Sequence, residues 1–72
     1  MIKKYLFPER LKELRLERGL SQYQLASELN NQITHTAIAH WENKERIPNL
    51  QAVMMLADYF GVTIDYLAGL ED

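Results

Sequence analysis

The sequence predicts an all-α fold of five short helices, and three observations carry that expectation. Apolar residues recur three and four apart, no alternating strand pattern appears, and cap residues punctuate the chain at close intervals. A chain of 72 residues buries only about 60% of the surface its unfolded form exposes, so its thin core must rest on regular, well-capped elements in a single domain, 1–72.

The first helix is expected from Pro8 to Arg18. Proline suits a first helical turn, Leu11 and Leu14 fall three apart, and Gly19 supplies a left-handed stop. Ser21 then caps a second helix, Gln22 to about Leu29. Gln24 completes the S-x-x-Q pattern of a capping box, and Leu25, Ala26 and Leu29 form the inward stripe. Asn30, Asn31 and Gln32 are poor helix formers, and asparagine tolerates left-handed backbone angles, so the chain should turn there.

Thr34 caps a third helix, His35 to about Asn43, with Ile38 and Trp41 on one face and His35, Thr36, Ala39 and His40 on the other. Asn43 to Pro48 reads as a solvated loop. Asn49 caps the fourth helix, Leu50 to about Phe60, whose expected apolar face is Leu50, Val53, Leu56, Ala57 and Phe60. One of Met54 and Met55 must point away from that face. Thr63 caps a last helix, Ile64 to Ala68, between the terminators Gly61 and Gly69.

Composition removes several function classes. Without cysteine there is no disulfide scaffold and no thiolate zinc site, and the five-residue spacing of His35 and His40 does not stack them on one helical face. No metal or other cofactor and no small-molecule ligand is therefore expected. An enzyme is not expected either, because no nucleophile and base stand at workable spacing and no glycine loop could cradle a phosphate. The longest apolar run, Ala52 to Ala57, is far short of the roughly 20 residues that span a bilayer, and Met1 to Phe7 lack a secretory signal's apolar stretch. The expected location is the cytoplasm.

The informative unit is two capped helices joined by a short turn, the second bearing an outward face of small and polar side chains. A helix that reads a DNA groove must lie close to base edges, where short donors and acceptors reach and bulky apolar groups collide. In this setting the motifs Arg10-Leu11-Lys12-Glu13-Leu14-Arg15, Gly19-Leu20-Ser21-Gln22, Leu25-Ala26, Ile33 to Glu42 and Ile38-Ala39-His40-Trp41-Glu42-Asn43 carry a family resemblance. Arg46-Ile47-Pro48, Leu56-Ala57-Asp58 and Gly61-Val62-Thr63-Ile64-Asp65-Tyr66-Leu67 extend it, so that it covers about residues 9 to 69. The chain resembles the lambdoid phage repressor and Cro family of helix-turn-helix DNA-binding domains, the XRE family.

The resemblance implies a compact five-helix lambda-repressor-like domain whose second helix crosses the DNA backbone while the third enters the major groove. Thr34, His35, Thr36 and His40 match positions that face base edges or adjacent phosphates, and Ala39 could touch a thymine methyl. Gln22 matches a position that contacts phosphate and supports the recognition helix, Asn43 matches one that contacts the backbone, Lys44 and Arg46 should add charge there, and the helix N-terminus at Ser21 can add backbone donors for a phosphate. Arg15 and Glu42 match an ion pair joining the first helix to the end of the third. Trp41, sharing a face with Ile38, is assigned to packing.

Two departures stand out. Asn30 to Gln32 replace a single glycine of the family turn, and Lys44 stands where glycine is common, which either strains the loop or places a cation at a phosphate. The expected partner is a double-stranded DNA operator, bound as a homodimer, for which an exposed apolar strip near the C-terminus would serve. The expected activity is a Cro-type or repressor-type regulator acting by operator occupancy. A protein-interaction module on the same fold, such as an antitoxin, is the alternative.

The acidic total conceals an asymmetry. Residues 1 to 48 hold all eight basic side chains against six acidic ones, whereas residues 49 to 72 hold four acidic and no basic ones. The half expected to meet DNA is mildly basic, and the acidic half would face away.

Overall fold

The computed structural model describes residues 5–70; Lys3, Lys4, Glu71 and Asp72 of the charge tally lie outside them. Five helices follow one another, with no strand among the described residues: α1 (Phe7–Glu17), α2 (Gln22–Glu28), α3 (His35–Glu42), α4 (Leu50–Phe60) and α5 (Ile64–Ala68). The last two have the bounds that their caps and glycines announce. None of the five is long and apolar enough to cross a membrane.

Side-chain caps open four of the helices. The oxygens of Ser21, Thr34, Asn49 and Thr63 each accept from the backbone N–H three residues on, and Gln24 returns the bond to the Ser21 N–H at 2.7 Å. Four unpartnered N–H groups begin every helix, and each such cap is worth about 1 kcal/mol. All five helices close on Schellman turns, in which two successive N–H groups fold back onto the last carbonyls. Leu20 N–H reaches the Arg15 carbonyl, Asn31 N–H that of Ala26, Glu45 N–H that of His40, Val62 N–H that of Ala57 and Leu70 N–H that of Asp65. The turning residue is glycine after α1, α4 and α5, namely Gly19 at φ 67°, Gly61 at 69° and Gly69 at 94°, but Asn30 at 55° after α2 and Lys44 at 64° after α3.

One core joins all five helices: Phe7 and Leu11 of α1, Leu25 and Ala26 of α2, Ile38 and Trp41 of α3, Ala52, Leu56, Ala57 and Phe60 of α4, and Leu67 of α5. α3 sits between α1 and α2, and α5 closes against α1 and α4. Trp41 is buried, edge-on to the Phe7 ring at 6.0 Å between centroids, consistent with a packing role.

Three expectations are corrected. α1 starts one residue early, and Phe7, read as part of the N-terminal lead, is a fully buried core residue. α1, α2 and α3 each stop one residue early, with Arg18, Leu29 and Asn43 as C-caps. Leu50 does not join the apolar face of α4 but is 67% exposed, and Ala52 lies inward instead. At 100° per residue Leu50 falls about 120° around the axis from Leu56, beyond the buried arc. Met54 shares that outer side and Met55 packs against the core.

Candidate nucleic-acid interface

The outward side of α3 begins at its cap. The Thr34 hydroxyl accepts from the Ala37 N–H at 3.1 Å, which fixes the first turn while Ile38 and Trp41 anchor the opposite side in the core. Thr34 and Thr36 are exposed, and His35, Ala39 and His40 are half-buried. Four of the five expected base-facing residues thus lie on α3 and the fifth, Thr34, is its N-cap, while Ser21 and Gln22 stand at the start of α2 and Asn43, Lys44 and Arg46 follow the end of α3. Eight residues make α3 about 12 Å long, so candidate phosphate contacts bracket the reading surface at both ends.

Three groups hold α3 from behind. The Arg15 guanidinium donates to both Glu42 carboxylate oxygens, Nε to Oε2 at 2.8 Å and Nη2 to Oε1 at 2.9 Å. Its Nη1 donates to the Leu20 carbonyl at 2.8 Å, and the Gln22 amide donates to Glu42 Oε1 at 3.2 Å. The pair is almost dry, with the two side chains 9% and 4% exposed. The hydrogen bonds to Glu42 raise the Arg15 pKa above its ordinary value against the opposing effect of burial. Gln22 therefore supports α3 directly, and its second amide hydrogen is left over for another acceptor.

The longer turn is absorbed locally. Asn30 and Asn31 both take left-handed angles, at φ 55° and 58°, and buried Leu29 and Ile33 pin the two ends. Short polar side chains make that conformation tolerable without glycine.

Of the two alternatives raised for Lys44, the strained loop is the one observed. The residue's backbone is left-handed at φ 64°, and its ammonium lies 3.0 Å from the Glu9 carboxylate on α1. That hydrogen bond is the main cause holding the Glu9 carboxyl below its ordinary pKa. Lys44→Gly should relieve the backbone strain at the cost of a weak surface pair, for a net gain of about 0.5–1 kcal/mol. Calorimetry should show a melting temperature raised by a few degrees, while DNA titrations lose affinity on every sequence alike.

Two contacts had no counterpart in the sequence reading. Glu9 was not singled out, and Tyr23 of α2 stacks on His35 with ring centroids 3.9 Å apart and an interplanar angle of 21°. The available signal for Tyr23 was its place off the Leu25, Ala26 and Leu29 stripe, which puts an aromatic ring at the surface beside a helix of groove-reading character.

A helix-turn-helix family model matches residues 11–67, from the first core leucine of α1 to the last of α5. The chain belongs to this XRE-type helix-turn-helix family. Membership makes it a DNA-binding domain of the kind that transcription regulators carry. Among curated proteins, the helix-turn-helix transcriptional activator BcrR of Enterococcus faecalis is 38% identical over 66 residues, which cover 92% of this chain and 31% of BcrR. The chain thus spans about a third of that relative's length. Among solved structures, the DNA-binding domain of BldD from S. venezulae superposes with a TM-score of 0.78 at 22% identity, covering 89% of this chain and 93% of that one. The SOS-response transcriptional repressor LexA from Eubacterium rectale also gives a TM-score of 0.78, at 25% identity over 93% of this chain and 67% of that one.

Proposed function

We propose that this helix-turn-helix chain forms a single domain that binds an operator in double-stranded DNA by placing α3 in the major groove. The observation that carries the proposal is the clamp behind α3: Arg15, Glu42 and Gln22 fix that helix to α1 and α2 while its small polar face stays outward. Thr34, His35, Thr36 and His40 read base edges or adjacent phosphates, and Ala39 meets a thymine methyl. Ser21, Gln22, Asn43, Lys44 and Arg46 hold the phosphates. At Ser21 the capping box occupies the backbone N–H and one hydroxyl lone pair, so the hydroxyl hydrogen is the group it offers.

Phosphate contacts position a protein, whereas base contacts specify a sequence. Once a preferred site has been selected from random duplexes, Thr36→Ala or His40→Ala should relax discrimination by about 1–3 kcal/mol at particular base pairs. Gln22→Ala or Arg46→Ala should instead weaken all sequences about equally. Affinity should also fall steeply with salt, with a log-log slope near −0.9 per phosphate contacted. Equal losses on every sequence from both groups of variants would remove the base-reading assignment. Binding that ignores salt would favour a protein-interaction module on the same fold.

Operator occupancy as a homodimer is the simplest mode of action, and repression by exclusion is its simplest outcome. LexA, a repressor by name, shares the fold. BcrR, an activator by name, supports a second reading in which the bound domain recruits rather than excludes. Leu50 and Met54, four apart on the outer side of α4, offer exposed apolar surface for the second copy. Tyr66 of α5 is half-buried, with the Arg10 guanidinium 4.2 Å above its ring, and so is not open surface of that kind.

A further inference from the structure

Tyr23 is an exposed aromatic residue on the first turn of α2, with two-thirds of its surface (67%) open to solvent. It lies outside the core, yet its ring is nearly parallel to the imidazole of His35, the first residue of α3. On the same imidazole, Nε2 lies 3.4 Å from the Thr36 hydroxyl oxygen. His35 is therefore confined by a ring against one face and a hydroxyl near one nitrogen. A histidine covered on one face can offer a base pair only its other face or its edge, and the edge carries the nitrogen atoms that hydrogen-bond to base edges. Holding that edge still before DNA arrives removes part of the ordering cost that a free side chain meets on binding.

We propose that Tyr23 is a specificity-determining positioning residue: its ring holds the His35 imidazole in the single orientation from which it reads a base. The inference rests on the reading of His35 as a base contact and adds to it a residue on the neighbouring helix. Tyr23 touches no base. It acts through the stack, so the ring is the working part and the hydroxyl is not.

The test compares the unaltered chain with Tyr23→Ala, Tyr23→Phe, His35→Ala and the Tyr23→Ala/His35→Ala double variant. Each is titrated with the selected duplex and with that duplex changed at one base pair at a time. Tyr23→Ala should lose about 3- to 10-fold in affinity for the selected site. The loss of discrimination should fall on the same base pairs that His35→Ala relaxes, with Tyr23→Phe behaving as the unaltered chain. In the His35→Ala background, Tyr23→Ala should cost nothing further. Without DNA, the His35 ring protons should carry a ring-current shift that Tyr23→Ala removes and Tyr23→Phe keeps, in chains whose circular dichroism is unchanged.

A uniform loss on all duplexes shared by Tyr23→Phe would overturn the proposal and make the hydroxyl a phosphate contact. Equal effects of Tyr23→Ala with and without His35 would overturn it too. If His35→Ala relaxes a base pair and Tyr23→Ala does not, the positioning role alone is wrong. If His35→Ala changes no discrimination, or no duplex is bound at all, the base-reading assignment falls and the positioning role with it.

Discussion

Arg15→Ala is expected to lower stability by about 3–5 kcal/mol, because Glu42 would remain in an almost dry site without its partner. A domain of 72 residues has roughly 4–11 kcal/mol in all, so the variant should be partly unfolded at ordinary temperatures and melt more than about 10 °C lower. The double variant Arg15→Met/Glu42→Leu should regain a large share of that loss, since it buries no unpaired charge. It should not regain all of it, because the Leu20 carbonyl and the Gln22 amide also lose partners. Equal melts of the single and double variants would place the cost in the packing of the arginine stem instead. DNA binding should follow the double variant's loss more closely than its stability does, because Glu42 is the point at which α3 is tied to both neighbouring helices.

Phe7→Ala should cost about as much, roughly 3–5 kcal/mol, by leaving a cavity at a fully buried position. The loss would reach α3 through the Phe7 ring, which lies against the edge of Trp41 at 6.0 Å. Trp41 is the chain's single tryptophan, so its fluorescence reports on that contact as well as on unfolding. The expected result is a red-shifted native spectrum together with a lowered denaturant midpoint. A loss below 1 kcal/mol with an unchanged spectrum would set Phe7 outside the cooperative core.

What the sequence revealed of the fold depended on how local each signal was. Ser21, Thr34, Asn49 and Thr63 act within three residues of themselves, and the helices they open start as expected. Phe7 escaped notice because a lone apolar residue before a proline has no periodic neighbours to reveal its face. Leu50 misled because its hydrophobicity counted for more than its angle around the axis. The clamp joins residues 27 positions apart, so no spacing rule reaches it; only the family resemblance pointed to Arg15 and Glu42. The stack of Tyr23 on His35 was out of reach for a further reason. It depends on how two consecutive left-handed asparagines aim α3 relative to α2, and residue types do not give that angle.

The helices themselves are brief: seven residues in α2, eight in α3 and five in α5. In water an isolated helix shorter than about 12–15 residues is marginal. The surface of α3 therefore has no existence apart from the folded domain, and a ligand that grips it grips only folded chains. DNA held there at a hundred times its Kd would stabilise the domain by about 2.7 kcal/mol. Proteases that act on unfolded chains would find bound copies correspondingly seldom, so a copy's survival in the cell would depend on whether its site is free or filled.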